Sequence, residues 1–137
     1  MNWESGGAWQ RIFDFGSGLT QHMFLTPSQH NGKLQFTIHD EGRDQSLIAD
    51  QALPANQWVH VTVTLQGDTG KLYVDGQLVA SSSEITFNPK QLRVTEAYLG
   101  KSRYQADPYF KGSLDQVKVY NKALTEKEIK AQAAAKP

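Results

Sequence analysis

Apolar and polar residues alternate with period two along most of the chain. The plainest stretch is Trp58-Val59-His60-Val61-Thr62-Val63-Thr64-Leu65, where Val59, Val61, Val63 and Leu65 share one face and His60, Thr62 and Thr64 the other. A helix would scatter those aliphatics around its circumference, so the pattern predicts a strand with Trp58 in the core. Gly67-Asp68-Thr69-Gly70 turns the chain, and Lys71 to Val74 and Gln77 to Ala80 then flank Asp75-Gly76. An Asp-Gly pair between apolar runs predicts a two-residue type I′ hairpin, because both central residues need positive φ. The simplest register sets Leu72 opposite Val79 and Tyr73 opposite Leu78. Further strands are predicted at Gln10 to Phe15, His22 to Thr26, Lys33 to His39, Leu47 to Asp50, Leu92 to Leu99 and Ser113 to Tyr120. Turn-rich pieces at 16–18, 27–32, 40–44 and 54–56 separate the earlier ones. The period changes only at the end, where Thr125 and Glu128 form a capping box with Leu124 and Ile129 placed as a hydrophobic staple. A short helix over Glu126 to Ala134 follows. Many short strands with frequent turns predict an all-β antiparallel sandwich carrying one C-terminal helix.

Length and composition fit one folded domain over 1–137, with residues 125–137 as the helix and the start of a linker. Fourteen basic residues balance fourteen acidic ones. No global field favours nucleic acid or an anionic membrane, and neither is expected as a partner. The absence of cysteine excludes disulfides, thiolate metal sites and cysteine catalysis. No run approaches the about 18 apolar residues of a membrane helix. Met1-Asn2-Trp3 and the Ala-Ala-Ala-Lys-Pro end read as the ends of a segment excised from a larger protein.

Three stretches together carry a resemblance. They are Asn56 to Thr64, Lys71 to Val79, and Tyr109-Phe110-Lys111-Gly112-Ser113-Leu114-Asp115-Gln116-Val117-Lys118-Val119-Tyr120-Asn121-Lys122-Ala123-Leu124-Thr125. A tryptophan-led strand, a hairpin and a closing Gly-x-x-Asp strand running into a capped helix resemble the laminin G-like, concanavalin A-like jelly roll. That domain occurs as an accessory module of bacterial glycoside hydrolases. The resemblance implies a secreted or cell-surface bacterial module. Its expected role is non-catalytic binding of a polysaccharide or oligosaccharide for a polysaccharide-degrading enzyme. The alternative is a structural or protein-interaction module that packs against neighbouring domains of the parent protein or acts in adhesion. Family domains usually begin with further N-terminal strands that close the sandwich beside the Gly-x-x-Asp strand; this chain starts later, at Asn2-Trp3.

Candidate chemistry is sparse. On the strand reading Asp115 shares a face with Val117 and Val119, so inward valines would bury a carboxylate that then needs a cation, an arginine or several N–H donors. In the resembling modules an acid at this place often helps hold a structural Ca²⁺, which makes Asp115 the candidate metal ligand; pairing with Arg11, expected on the inward face of Phe13 and Phe15, is the rival. Catalysis finds no support. A retaining glucanase needs two carboxylates about 5.5 Å apart, and the strand pattern Glu-x-Asp-x-x-Glu occurs nowhere. His22, His30, His39 and His60 show no zinc-ligand spacing. Sugar binding needs an exposed aromatic flanked by polar groups that fix hydroxyls. Two loops supply it: one with Trp9 and Gln10, the other with Arg103, Tyr104, Asp107 and Tyr109. The competing account has Trp9 capping the core and both tyrosines packing beneath their own loop.

Overall fold

The computed structural model describes all residues, Met1–Pro137. Ten strands and one α-helix follow in chain order: β1 Asn2–Trp3, β2 Phe13–Ser17, β3 Gln21–Thr26, β4 Gln35–Asp40, β5 Arg43–Ile48, β6 Val61–Gln66, β7 Thr69–Val74, β8 Gln77–Ser82, β9 Glu96–Leu99, β10 Gly112–Ser113 and α1 Glu126–Ala134. A five-stranded antiparallel sheet, ordered β5-β4-β3-β2-β9, faces a three-stranded sheet, β6-β7-β8. The core between them takes Leu25, Phe36, Ile38 and Leu47 from the first sheet and Leu72 from the second, with Val61, Val63 and Leu65 packed against it. The alternation read from residues 59–65 thus sets the inner face of β6, as a half-buried strand requires. No helix is long and apolar enough to cross a membrane.

Local rules explain most element ends. Asp75 and Gly76 have φ of 49° and 78°, the left-handed pair that a type I′ turn needs. The register is not the simple one. Tyr73 pairs with Leu78, but Leu72 pairs with Ala80. Val79 is an extra residue, a bulge that keeps both Leu72 and Tyr73 buried. The 40–44 turn shrinks to Glu41-Gly42, since Asp40 already pairs with Arg43. Strand β5 therefore begins earlier than predicted. Asn88 caps a 3-10 helix over Pro89–Leu92, with Arg93 left-handed after it, so the run predicted as one strand from Leu92 reaches the sheet only at Glu96. The capping box of α1 forms as expected: Thr125 Oγ1 accepts from Glu128 N, and the Glu128 carboxylate accepts from Thr125 N. The helix rests on the β7–β8 turn, where Lys136 Nζ lies 2.8 Å from Asp75 Oδ2.

Two predictions fail for want of neighbours. Trp58 is half-buried and only bridges Asn2. The buried tryptophan is Trp3, which pairs with Gly112 in β10. The closing strand stops at Ser113. Residues 114–124 make no backbone–backbone hydrogen bond, and Gln116 turns left-handed at φ 51°. β-propensity is fit to a neighbouring strand, and no strand lies beside this segment to complete a ladder. Val117 and Val119 are consequently exposed, the latter by 78%. The second sheet is two strands narrower than the first. Leu99, across from Phe13 on the inner face of β2 and β9, is left 52% exposed.

One close approach gives a test. A Cβ on Gly16 would lie 2.5 Å from His22 Cα and against the Gln21 carbonyl. Gly16→Ala should lower stability by about 2–3 kcal/mol, read as a lower urea midpoint at unchanged slope. An unchanged midpoint would show that β2 and β3 are not held this close.

Candidate functional site

The outer face of the five-stranded sheet carries the chemistry. Strand pairing lines up two rows across it: Tyr98, Asp14, Phe24, Thr37 and Ser46, and beside them Glu96, Gly16, His22, His39 and Asp44. Asp14 alternates with Phe13 and Phe15, so its carboxylate points away from the core. It is nonetheless fully buried.

What buries it is the chain on either side. Ile12 N donates to Leu25 O at 2.8 Å while Phe13 is the register partner of Leu25, so two residues face one and the alternation slips. Ile12 enters the core and Arg11 swings to the outer face, contrary to the inward place expected for it. Its guanidinium stacks 3.9 Å from the Phe24 ring centre, and its Nε and Nη2 lie 3.4 and 3.3 Å from Asp14 and Asp107. Arg103 grips Asp14 from the other side through Nε at 2.6 Å and its backbone N–H at 3.2 Å, and its Nη1 donates to Gly18 O. Asp14 therefore receives two guanidinium groups, which offsets the cost of burying its charge. Ser102 Oγ ties the loop by donating to Asp107 at 2.6 Å and accepting from Tyr104 N.

Arg11 Nε, Arg103 Nη2 and His22 Nδ1 are buried without a hydrogen-bond partner. Such atoms are rare in folded proteins and call for an explanation. Burial lowers the His22 pKa from 6.5 to about 4, with Asp14 opposing and Arg103, His39 and Arg11 reinforcing the drop, so the ring is neutral at pH 7. The Tyr104 ring meets His22 edge-on at 5.8 Å, and His39 lies 4.8 Å from His22 while its Nδ1 hydrogen-bonds Asp44 at 2.6 Å. At the opposite end Trp9 adopts φ 72°, a left-handed strain uncommon for a bulky residue. Its indole N–H donates to His30 Nε2 at 3.2 Å, and its backbone carbonyl accepts from Arg11 Nη1.

The six residues nominated for sugar contact thus separate. Trp9, Arg103, Tyr104 and Asp107 converge on one face, joined by Arg11. Gln10 does not belong. It is buried, its Oε1 accepts from Trp3 Nε1 and Lys111 N, and its amide donates to the Ser5 and Gly7 carbonyls, so it is a structural tie. Tyr109 is 72% exposed without a ring contact or hydrogen bond to the others. Asp115 does not turn into the core as the strand reading expected: it is exposed, its carboxylate accepts from its own neighbour Gln116 N, and Arg11 pairs elsewhere. No group of three or more His, Asp or Glu side chains is arranged so that it could hold a metal ion. Ca²⁺ takes about six to eight oxygens, backbone carbonyls and water among them, and Asp115 brings no second acidic side chain to such a set. Sequence reading missed Asp14, His22, His39 and Asp44. The signal available was their alternation with core positions of β2 to β5; which outer face a loop would cover was not.

A two-layer antiparallel sandwich with a loop-lined polar face is the architecture of concanavalin A-like domains. The family model described as the concanavalin A-like lectin/glucanases superfamily, of laminin G type, matches residues 1–130, and the chain belongs to that family. An α-L-arabinofuranosidase of Bifidobacterium longum is 29% identical over 68 residues, half of this chain and 6% of that protein. Among solved structures, an S-layer domain-containing protein of Clostridium thermocellum is 30% identical with a TM-score of 0.52, over 97% of this chain and 66% of the other. A carbohydrate-binding module (CBM40) of the Ruminococcus gnavus IT-sialidase, bound to α2,3-sialyllactose, has a TM-score of 0.80 at 21% identity over 96% of this chain and 78% of its own. The chain therefore spans a small part of the curated enzyme and about two thirds of the first of these structures.

Two outcomes follow from the buried cluster. Asp14→Ala should cost about 3–5 kcal/mol in chemical denaturation, because two buried guanidinium groups lose their shared partner; a loss below 1 kcal/mol would mean that the arginines find other partners. His22 binds its proton more weakly folded than unfolded, so its contribution is complete above pH 6.5 and is lost as pH falls toward about 4. Between those limits the wild type should lose roughly 3 kcal/mol that a His22→Gln variant does not lose. Parallel midpoint curves for the two proteins would refute the assignment.

Proposed function

We propose that this domain is a non-catalytic carbohydrate-binding module serving a secreted bacterial polysaccharide-degrading enzyme, and that glycan binds on the outer face of the five-stranded sheet. The observation that carries the reading is the exposed ring of Tyr104 set with Trp9, Arg103 and Asp107 around the buried Arg11–Asp14–Arg103 cluster. Preorganised polar groups beside an aromatic surface are what hydroxyl-bearing rings require. Trp9, Arg103, Tyr104 and Asp107 would touch the sugar, with Arg11 and Asp14 holding them. The arabinofuranosidase relative and the sialyllactose-bound neighbour support a place beside glycoside hydrolases. A binding role also suits the carboxylates of this face, since Asp14 and Asp107 are already engaged by arginine.

A second reading, packing against a neighbouring domain or in adhesion, is favoured by the uncovered apolar residues Leu99, Val117 and Val119. A glycan array followed by calorimetry separates the two. On the first reading Tyr104→Ala lowers affinity roughly tenfold or more while the melting temperature stays within a few degrees. Absence of any glycan ligand would favour the second. Repeating the titration with Ca²⁺ and with EDTA tests the calcium expectation, and equal affinities are the outcome that the surroundings of Asp115 favour.

A further inference from the structure

The same face points to a class of ligand. Its two guanidinium groups are already spoken for, while a third cation, Lys101, stands with Nζ 4.7 Å from the Tyr98 ring centre. Arg11 reaches Asp14 and Asp107, and Arg103 reaches Asp14 at 2.6 Å and Glu96 at 3.8 Å. At the far end of the Glu96–Gly16–His22–His39–Asp44 row stands Asp44, its side chain 63% exposed; Glu96, at the near end, is 48% exposed. Two guanidinium groups and the Lys101 ammonium therefore face four carboxylates, which leaves the carboxylates in excess by one. The buried imidazole of His22 adds no cation at neutral pH.

From this arrangement we infer that the outer face selects uncharged glycans and rejects those bearing a carboxylate. The inference rests on the carbohydrate-binding reading above and narrows it. A ligand carboxylate would give up its water for arginines whose charge is already compensated, and would lie between like charges at both ends of the row. A sugar hydroxyl meets neither penalty. It can donate to the exposed carboxylates of Asp44 or Glu96, and its neutral oxygen meets no like charge. The likeness to a module solved with α2,3-sialyllactose does not oppose this, because at 21% identity it extends to the fold alone.

The test is an array of neutral and acidic glycans at pH 7 with the whole chain, followed by calorimetry on matched pairs. Lactose against α2,3-sialyllactose, and polygalacturonate against its carboxyl-reduced form, differ chiefly by the acid group. Expected is roughly tenfold or greater preference for the neutral member of any bound pair. That preference should shrink in an Asp44→Asn/Glu96→Gln variant, both of whose changes are at exposed side chains. Binding confined to acidic glycans, or a preference unmoved in that variant, would overturn the inference and leave the carbohydrate-binding reading standing. An array with no ligand of either kind would overturn both.

Discussion

Asp14 is the constraint on which the site depends. A carboxylate in the middle of a strand, fully withdrawn from water, is tolerable only if fixed positive groups replace its hydration. Arg11 supplies one from the irregular segment before β2, and Arg103 the other from a loop 89 residues beyond Asp14. Each arginine fastens its own piece of chain to the sheet. The loop from Ser102 to Asp107 is in turn knotted by Ser102 and bound back through Asp107 to Arg11. Two segments distant in sequence become the walls of one face because they share an anion.

That design costs polar satisfaction. Pulling two guanidinium groups and an imidazole into one buried cluster leaves Arg11 Nε, Arg103 Nη2 and His22 Nδ1 without partners. A buried ion network is weak evidence for stability, since apolar packing often does as well. Its value here lies in geometry. The rings of Trp9 and Tyr104 and the carboxylate of Asp107 are held in fixed relation by it, and such preorganisation would lower the cost of the proposed binding.

The opposite side of the same sheet shows an imbalance. Five strands face three, so the inner face near β2 and β9 is only partly roofed, and Leu99 and Phe13 lie at its uncovered margin. The extended segment after β10 passes without pairing, exposing Val117 and Val119. The polar outer face and the bare apolar margin involve different residues, so the proposed glycan binding and contact with a neighbouring domain would not compete for them.

Short-range chemistry was legible directly. The period-two runs of 58–65 and 71–80, the Asp-Gly turn and the Thr125–Glu128 capping box each rest on residues adjacent along the chain, and each forms nearly as read. Trp9, Arg103, Tyr104 and Asp107 were nominated from loop composition, and they do come together. Pairing partners were another matter. A one-residue slip at Ile12 decided that Arg11 meets Asp14 and not Asp115. A missing neighbour decided that Ser113 to Tyr120 is no strand, and a lone bulge moved Leu72 to Ala80. Gln10 looked like a sugar ligand until four hydrogen bonds claimed its amide. Local patterns depend on a residue and its neighbours in sequence. Register, burial of charge and the identity of an ion pair depend on which distant strand or loop lies alongside, and only the tertiary structure decided those.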